Sequence, residues 1–305
     1  MLLDSTPAVQ QFLGSEQITP YSSAKVVILP IPYEATTTYR KGCENGPGAV
    51  LEASQQLEAY DEELEQETCI DVGIYTHSPI ADTRYQFFSA EEMLHLTKET
   101  VSHLINDNKF VVAVGGEHAI TTGVVQAYLE TLKEPFTVIQ IDAHGDMRSS
   151  FEGSIHNHAC VMRRVLEMGL PTLPVGIRSI CSEEAQLIKE KQIPVIWGRD
   201  IATGPDWIET AIARIPTEKV FITIDVDGID PALIPGVGTP EPGGMGWYET
   251  LNFLKRVCQT HQVIGCDVME LAPVADSVVS EFTTAKLIYK LIGYVANSQN
   301  WQQTN

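Results

Sequence analysis

Four short segments of this chain concentrate carboxylates and imidazoles: Gly115-Gly116-Glu117-His118, Asp142-Ala143-His144-Gly145-Asp146, Asp225-Val226-Asp227-Gly228-Ile229-Asp230-Pro231 and Asp267-Val268-Met269-Glu270. Each follows an apolar run. Side chains alternate along an extended segment, so the D-x-H-x-D spacing places Asp142, His144 and Asp146 on one side, and D-x-D does the same for Asp225 and Asp227. Carboxylates crowded on one face repel one another unless positive charge sits among them. No lysine or arginine is interleaved at these positions. A metal is the simplest source of the missing charge. Asp142, Asp146, Asp225 and Asp227 with His118 and His144 form a mostly oxygen donor set. It suits a pair of hard or borderline divalent ions such as Mn²⁺ better than thiolate-bound zinc. The carboxylates offset the ions, and a bridging hydroxide leaves the cluster near neutral. A D-x-D alone reads as a solvated turn, and a G-G-E-H alone as a strand-to-helix turn. Their conjunction after apolar strands points to a site.

Such a conjunction requires elements that bring distant segments together. Candidate strands are 25–31, 110–114, 136–141, 172–176, 193–197, 220–224 and 262–266. Several are apolar on both faces, as a buried parallel strand requires. Helical periodicity covers 91–106, 119–132, 182–191, 207–214, 248–259 and roughly 277–296. The alternation predicts an α/β fold with one mostly parallel sheet covered by helices on both faces. In such a sheet ligands bind beyond the carboxyl ends of the strands, where the four motifs lie. Residues 1–305 are expected to form a single domain, with 1–22 an N-terminal extension packing on it.

Composition narrows the function classes. The chain has 305 residues, is 44% hydrophobic and carries 20 basic against 40 acidic residues, a formal net charge of −20. There is apolar material for a large core, which excludes wholesale disorder. The acidic balance disfavours nucleic acid as a partner and favours cations. None of the six cysteines forms a C-x-x-C pair, so reduced thiols are expected. The first residues lack the basic and apolar regions of a signal peptide, and no apolar window reaches membrane-spanning length. A cytoplasmic protein without membrane contact is the expectation. No G-x-S-x-G or phosphate-binding G-x-x-x-x-G-K-[ST] motif occurs. His77, His95, His103 and His261 read as surface or structural histidines. The Gly/Pro-rich stretch 235–244 reads as a rigid loop near the D-x-D strand end.

The ordered set of motifs resembles the ureohydrolase family, which includes arginases and agmatinases. The resemblance covers almost the whole chain. It begins at Ile31-Pro32-Tyr33, Thr37-Thr38-Tyr39-Arg40-Lys41-Gly42 and Gly46-Pro47, and runs through the four segments above. It implies a three-layer α/β/α fold and two Mn²⁺ ions, although carboxylate and imidazole also accept Ni²⁺ or Co²⁺. By matching motifs, one ion takes His118, Asp142, Asp146 and Asp225, and the other takes Asp142, His144, Asp225 and Asp227. A hydroxide bridging the ions is implied as the nucleophile toward a guanidinium carbon. Glu270 matches the family's guanidinium-binding glutamate, Asp146 is implied as the proton carrier, and Thr239 as a further substrate contact. At Ile155-His156-Asn157-His158-Ala159 the chain departs from the family's usual His-Gly. Alignment on Arg163-Arg164 favours His158 as the proton-shuttling or substrate-orienting histidine, with His156 an additional imidazole and a further candidate for substrate binding. Asp146-x-Arg148 looks like agmatinases rather than arginases. The implied reaction converts a small cationic guanidino substrate, agmatine first, to urea and an amine, here putrescine. Guanidinobutyrate, free guanidine, formiminoglutamate and arginine are alternative substrates, and a non-catalytic metal-binding homologue is the alternative of another class. The resemblance also implies a homo-oligomer, trimeric or hexameric.

Overall fold

A computed structural model describes residues 10–14 and 19–301. Its centre is one sheet of eight strands: β1 (Val26–Ile31), β2 (Ile74–Thr76), β3 (Phe110–Gly115), β4 (Thr137–Ile141), β5 (Thr172–Ile177), β6 (Ile196–Trp197), β7 (Lys219–Asp225) and β8 (Gln262–Met269). The spatial order is β2-β1-β3-β8-β7-β4-β5-β6, and every neighbouring pair is parallel. Strands β1, β3, β4 and β5 are buried along their whole length. That is the environment their double-sided apolar patterning demands.

Among the described residues, ten α-helices cover the sheet. The helices α1 (Gly46–Ser54), α2 (Thr68–Val72), α7 (Gly198–Thr203), α8 (Trp207–Ile212), α9 (Trp247–Thr260) and α10 (Val279–Ser298) share one core layer. The helices α3 (Ala90–Asn106), α4 (Ile120–Leu132), α5 (Val161–Glu167) and α6 (Ser182–Lys191) share the other. Alternation along β1 sends Val26 and Ile28 to the first layer and Val27, Leu29 and Ile31 to the second. Local sequence explains the helix ends. Helix α3 starts at a capping box: Glu92 N–H donates to Ser89 Oγ (3.2 Å), and Ser89 N–H donates to Glu92 Oε2 (2.8 Å). Its residues Met93, Leu94, Val101 and Leu104 are buried, each such side chain contributing about 1.5–3 kcal/mol.

The predicted three-layer α/β/α architecture with a parallel sheet is the observed one. The strand expected over 193–197 is shorter, at Ile196–Trp197, and β2 and helices α1, α2, α5 and α7 lie outside the expected elements. These are short, three to nine residues, too brief for periodicity to register. Strand β8 runs on to Met269, so Asp267 sits inside the sheet and only Glu270 follows it. Of the expected N-terminal extension, residues 1–9 and 15–18 lie outside the described residues. Its described part docks on the body: Phe12 N–H donates to Thr76 Oγ1 (2.9 Å) and Leu13 N–H to Ser54 Oγ (3.0 Å). Among the described residues, no helix is long and apolar enough to cross a membrane.

Candidate metal centre

Strands β3, β8, β7 and β4 are consecutive neighbours at the middle of the sheet. They are the four strands that carry the motifs, so their carboxyl ends meet in one place. After β3 the chain turns at Gly116, whose N–H donates to Ile31 O (2.9 Å) while Glu117 N–H donates to Tyr33 O (2.9 Å). A Cβ on Gly116 would collide with the Tyr33 carbonyl oxygen, so the turn needs glycine to deliver His118 inward.

His118 Nδ1 faces three carboxylates, lying 3.2 Å from Asp142 Oδ2, 3.1 Å from Asp146 Oδ2 and 3.4 Å from Asp225 Oδ2. His144 Nδ1 lies 2.9 Å from Asp227 Oδ2 and 3.7 Å from Asp142 Oδ1. His118 and all four aspartates are buried, and His144 is partly exposed. Asp142 therefore sends one oxygen toward each imidazole. His118, Asp142 and Asp225 form one group of donor atoms lying within 4.8 Å of one another, and Asp142, His144 and Asp227 form a second. Asp225 belongs to the first group. Asp146 reaches His118 but completes neither set of three.

The electrostatics fit divalent ions. Burial and the charges of Asp146 and Asp227 push Asp142 up to about 7, against the opposing pull of His118. Burial, Asp227 and Asp142 push Asp225 well up. Burial disfavours charge on His118, but Asp142, Asp146 and Asp225 outweigh it and drive the imidazole well above its ordinary value. For His144, Asp227 outweighs burial in the same way and lifts it to about 11. Without ions the cluster therefore holds protons to relieve its repulsion. Two divalent ions would supply that charge instead, and the imidazole and carboxylate donors suit them.

The cavity above the cluster is about 230 Å³ and is lined by Asp146, Phe151, His158, Thr239 and Glu270 among others. Glu270 Oε1 accepts His118 N–H at 2.7 Å, and burial raises its carboxyl well above the usual range. Asp146 and Glu270 both have left-handed backbones, with φ of 52° and 68°. That conformation costs a non-glycine residue about 1–3 kcal/mol and persists only where the surroundings impose it. Here Asp146 O accepts Met162 N–H (2.9 Å) and Glu270 N–H donates to Gly116 O (2.7 Å). Burial lowers His158, against the charge of Asp146. His156 does not line the cavity; its N–H donates to Ser154 Oγ (3.1 Å) in the turn before His158.

Three supporting residues escaped the motif reading. Gln140 Nε2 donates to Asp142 Oδ2 (2.7 Å) and to His144 O (3.2 Å). Thr223 Oγ1 lies 2.9 Å from His118 Nε2. Arg178 spreads its guanidinium over backbone carbonyls, including Asp227 O (2.7 Å), Glu241 O (2.9 Å) and Pro242 O (3.1 Å), tying the 235–244 loop to the D-x-D turn. Gln140 and Thr223 had a signal, each being a polar residue flanked by two isoleucines inside a buried strand. Arg178 had none, because carbonyl partners leave no mark in sequence.

Comparison with known proteins agrees with this geometry. The model of the arginase family matches residues 24–293. The N(1)-aminopropylagmatine ureohydrolase of Synechocystis sp. is 65% identical over 295 residues, covering 96% of each chain. The agmatinase of Pyrococcus horikoshii is 33% identical, covering 90% of this chain and 93% of that one. Among solved structures, the agmatine ureohydrolase of Thermoplasma volcanium superposes with a TM-score of 0.82 at 28% identity, covering 97% of both chains. The chain belongs to the arginase family and is one of its ureohydrolases.

Proposed function

We propose that the chain hydrolyses the guanidino group of N(1)-aminopropylagmatine, releasing urea and the corresponding triamine. The observation that carries this reading is the 65% identity, over 96% of both chains, to the Synechocystis protein of that name. A second reading, hydrolysis of agmatine itself, is favoured by the relative from Pyrococcus horikoshii named agmatinase. Both compounds present the same guanidinobutyl unit, and they differ only in the aminopropyl arm.

The residues suit that chemistry. His118, Asp142, Asp146, His144, Asp225 and Asp227 would hold two divalent ions, Mn²⁺ first, which when bound polarise water for attack near neutral pH. Glu270 has one oxygen fixed by His118 N–H and faces the cavity. Its carboxylate can accept paired N–H groups and hold the planar guanidinium at a fixed angle. Water adds to the guanidinium carbon, the bond to the alkylated nitrogen breaks, and that nitrogen leaves as an amine after gaining a proton. Asp146 and His158 both line the cavity, which supports them as the groups that carry it. Phe151 and Thr239 bound the remaining space.

Urea release from the Mn²⁺-loaded protein tests the reading, with agmatine, arginine, guanidinobutyrate and free guanidine beside N(1)-aminopropylagmatine, and formamide scored for formiminoglutamate. The highest kcat/KM is expected for N(1)-aminopropylagmatine. A higher value for agmatine would move the assignment to the second reading. Silence on every compound, also with Ni²⁺ and Co²⁺, would leave a metal-binding homologue without activity.

A further inference from the structure

Glu117 is wholly buried beside the metal centre, yet its carboxylate is turned to another task. Its Oε2 accepts the N–H groups of Ala35 and Thr36, both at 2.6 Å, and its Oε1 accepts the Thr36 hydroxyl at 2.6 Å. Thr36 in turn meets His158. Its Oγ1 accepts His158 N–H at 3.0 Å and lies 3.4 Å from His158 Nδ1. Asn157 Nδ2 reaches Thr36 O at 3.4 Å, and the Phe151 ring stands edge-on to the imidazole at 6.5 Å between centroids. The segment after β1 and the turn before α5 are thus joined at Thr36, through its hydroxyl and its carbonyl.

A threonine hydroxyl has a single proton to donate. Here Glu117 takes it, so toward His158 the hydroxyl can only accept. The imidazole must then present Nδ1–H to it, and the lone pair is left on Nε2. From this geometry we infer that Glu117 and Thr36 are positioning residues that fix the tautomer and ring orientation of His158. This rests on the reading of His158 as a proton-handling group at the guanidine. The relay supplies a base of defined direction where a free imidazole would divide between two tautomers.

The test uses the full-length protein with ¹⁵N-labelled histidine, with Zn²⁺ as a diamagnetic ion and without added metal. Long-range ¹H–¹⁵N correlation reads each imidazole, and His158→Asn identifies the His158 signals. The expected parent carries its proton on Nδ1 of His158. Thr36→Val should shift it toward Nε2 and lower kcat about 10-fold, the small end of the effect of removing an outer-shell partner, with KM and bound metal little changed. Thr36→Ser should restore both tautomer and kcat. An Nε2-protonated His158 in the parent, or identical His158 signals in parent and Thr36→Val, would overturn the relay; the parent spectrum decides even if the valine variant does not fold. If Thr36 sets the tautomer but His158→Asn keeps full kcat, the relay stands and the catalytic reading of His158 falls.

Discussion

Asp142 is the one carboxylate shared by both donor groups, with Oδ2 toward His118 and Oδ1 toward His144. Its loss would therefore remove a donor from each group, whereas Glu270 belongs to neither group and accepts a hydrogen bond from His118 N–H. Asp142→Ala should lose most bound metal as read by elemental analysis of the dialysed protein. Glu270→Ala should keep its metal and lose roughly 100-fold or more in kcat/KM, the scale of misplacing a substrate. Full metal content in Asp142→Ala would refute the shared-ligand assignment. At this scale the sequence was legible in which residues converge but not in how: D-x-H-x-D and D-x-D were read with the two-residue period of a strand, yet Asp142–Asp146 lies past the end of β4 and Asp227 sits in the 3-10 turn Val226–Gly228, so turns and not a strand bring these side chains together. It was partly legible at Gln140 and Thr223, whose polarity is out of place between isoleucines in buried strands. It was silent on the left-handed backbones of Asp146 and Glu270, because nothing in either residue type announces a conformation that only the surrounding hydrogen bonds impose.

The longest helix, α10, is fixed by more than its apolar face. Lys290, on its buried side, is 2% exposed and pairs with Asp61 Oδ1 and Glu63 Oε2, both at 2.9 Å. Tyr294 OH donates to the same Glu63 (2.6 Å), and Tyr289 OH donates to Ala59 O (2.5 Å). One helix thus pins the connection between α1 and α2. Removing one partner of a buried pair leaves the other charge uncompensated, which costs about 3–5 kcal/mol. Asp61 keeps backbone donors from Glu63 (2.9 Å) and Leu64 (3.1 Å), so the low end applies. Lys290→Met should lower the unfolding free energy by about 3 kcal/mol in urea titrations without changing the metal centre. A loss under about 1 kcal/mol, the size of an exposed pair, would show that the pair does not hold the helix. Element types were readable because the long strands are apolar on both faces and the long helices are periodic. The order β3-β8-β7-β4 was not, since it pairs Val112 with Cys266 across 154 positions and Thr137 with Val220 across 83, and rests on side chains from both layers. Nor was the pin at Lys290, whose partners lie 229 and 227 positions away in a loop.

The whole molecule couples ions, protons and charge. In the ion-free chain Asp142 at about 7 lies above its unfolded value of 3.8, so the folded state holds a proton there that the unfolded state has shed. That contribution is full below about 4 and is lost as pH rises through about 7. His118 and His144 have the same sign: both lie above 6.5, His144 at about 11, and their contribution is full below 6.5 and lost as pH rises through the folded values. Divalent ions held there would replace those protons, so binding would release protons and strengthen with pH. The Tm difference between ion-loaded and chelated protein should therefore widen from about pH 6 to about pH 9. A constant or shrinking difference in calorimetry would show that the cluster does not exchange protons for metal. Beyond the site, the chain's net charge is −20, a field that draws cations toward the cavity and is screened as the Debye length shrinks from about 30 Å at 0.01 M to about 8 Å at physiological ionic strength. N(1)-aminopropylagmatine carries a guanidinium and two amines that are protonated near neutral pH, and agmatine carries a guanidinium and one. Steering acts on total charge, so kcat/KM for the triply charged compound should fall more steeply with added salt than that for agmatine. The comparison must hold ion type fixed, because sulfate and chloride screen differently at equal concentration. Parallel slopes would place recognition of the aminopropyl arm in short-range contacts within the cavity, and flat slopes for both would remove the acidic surface from the account of substrate capture.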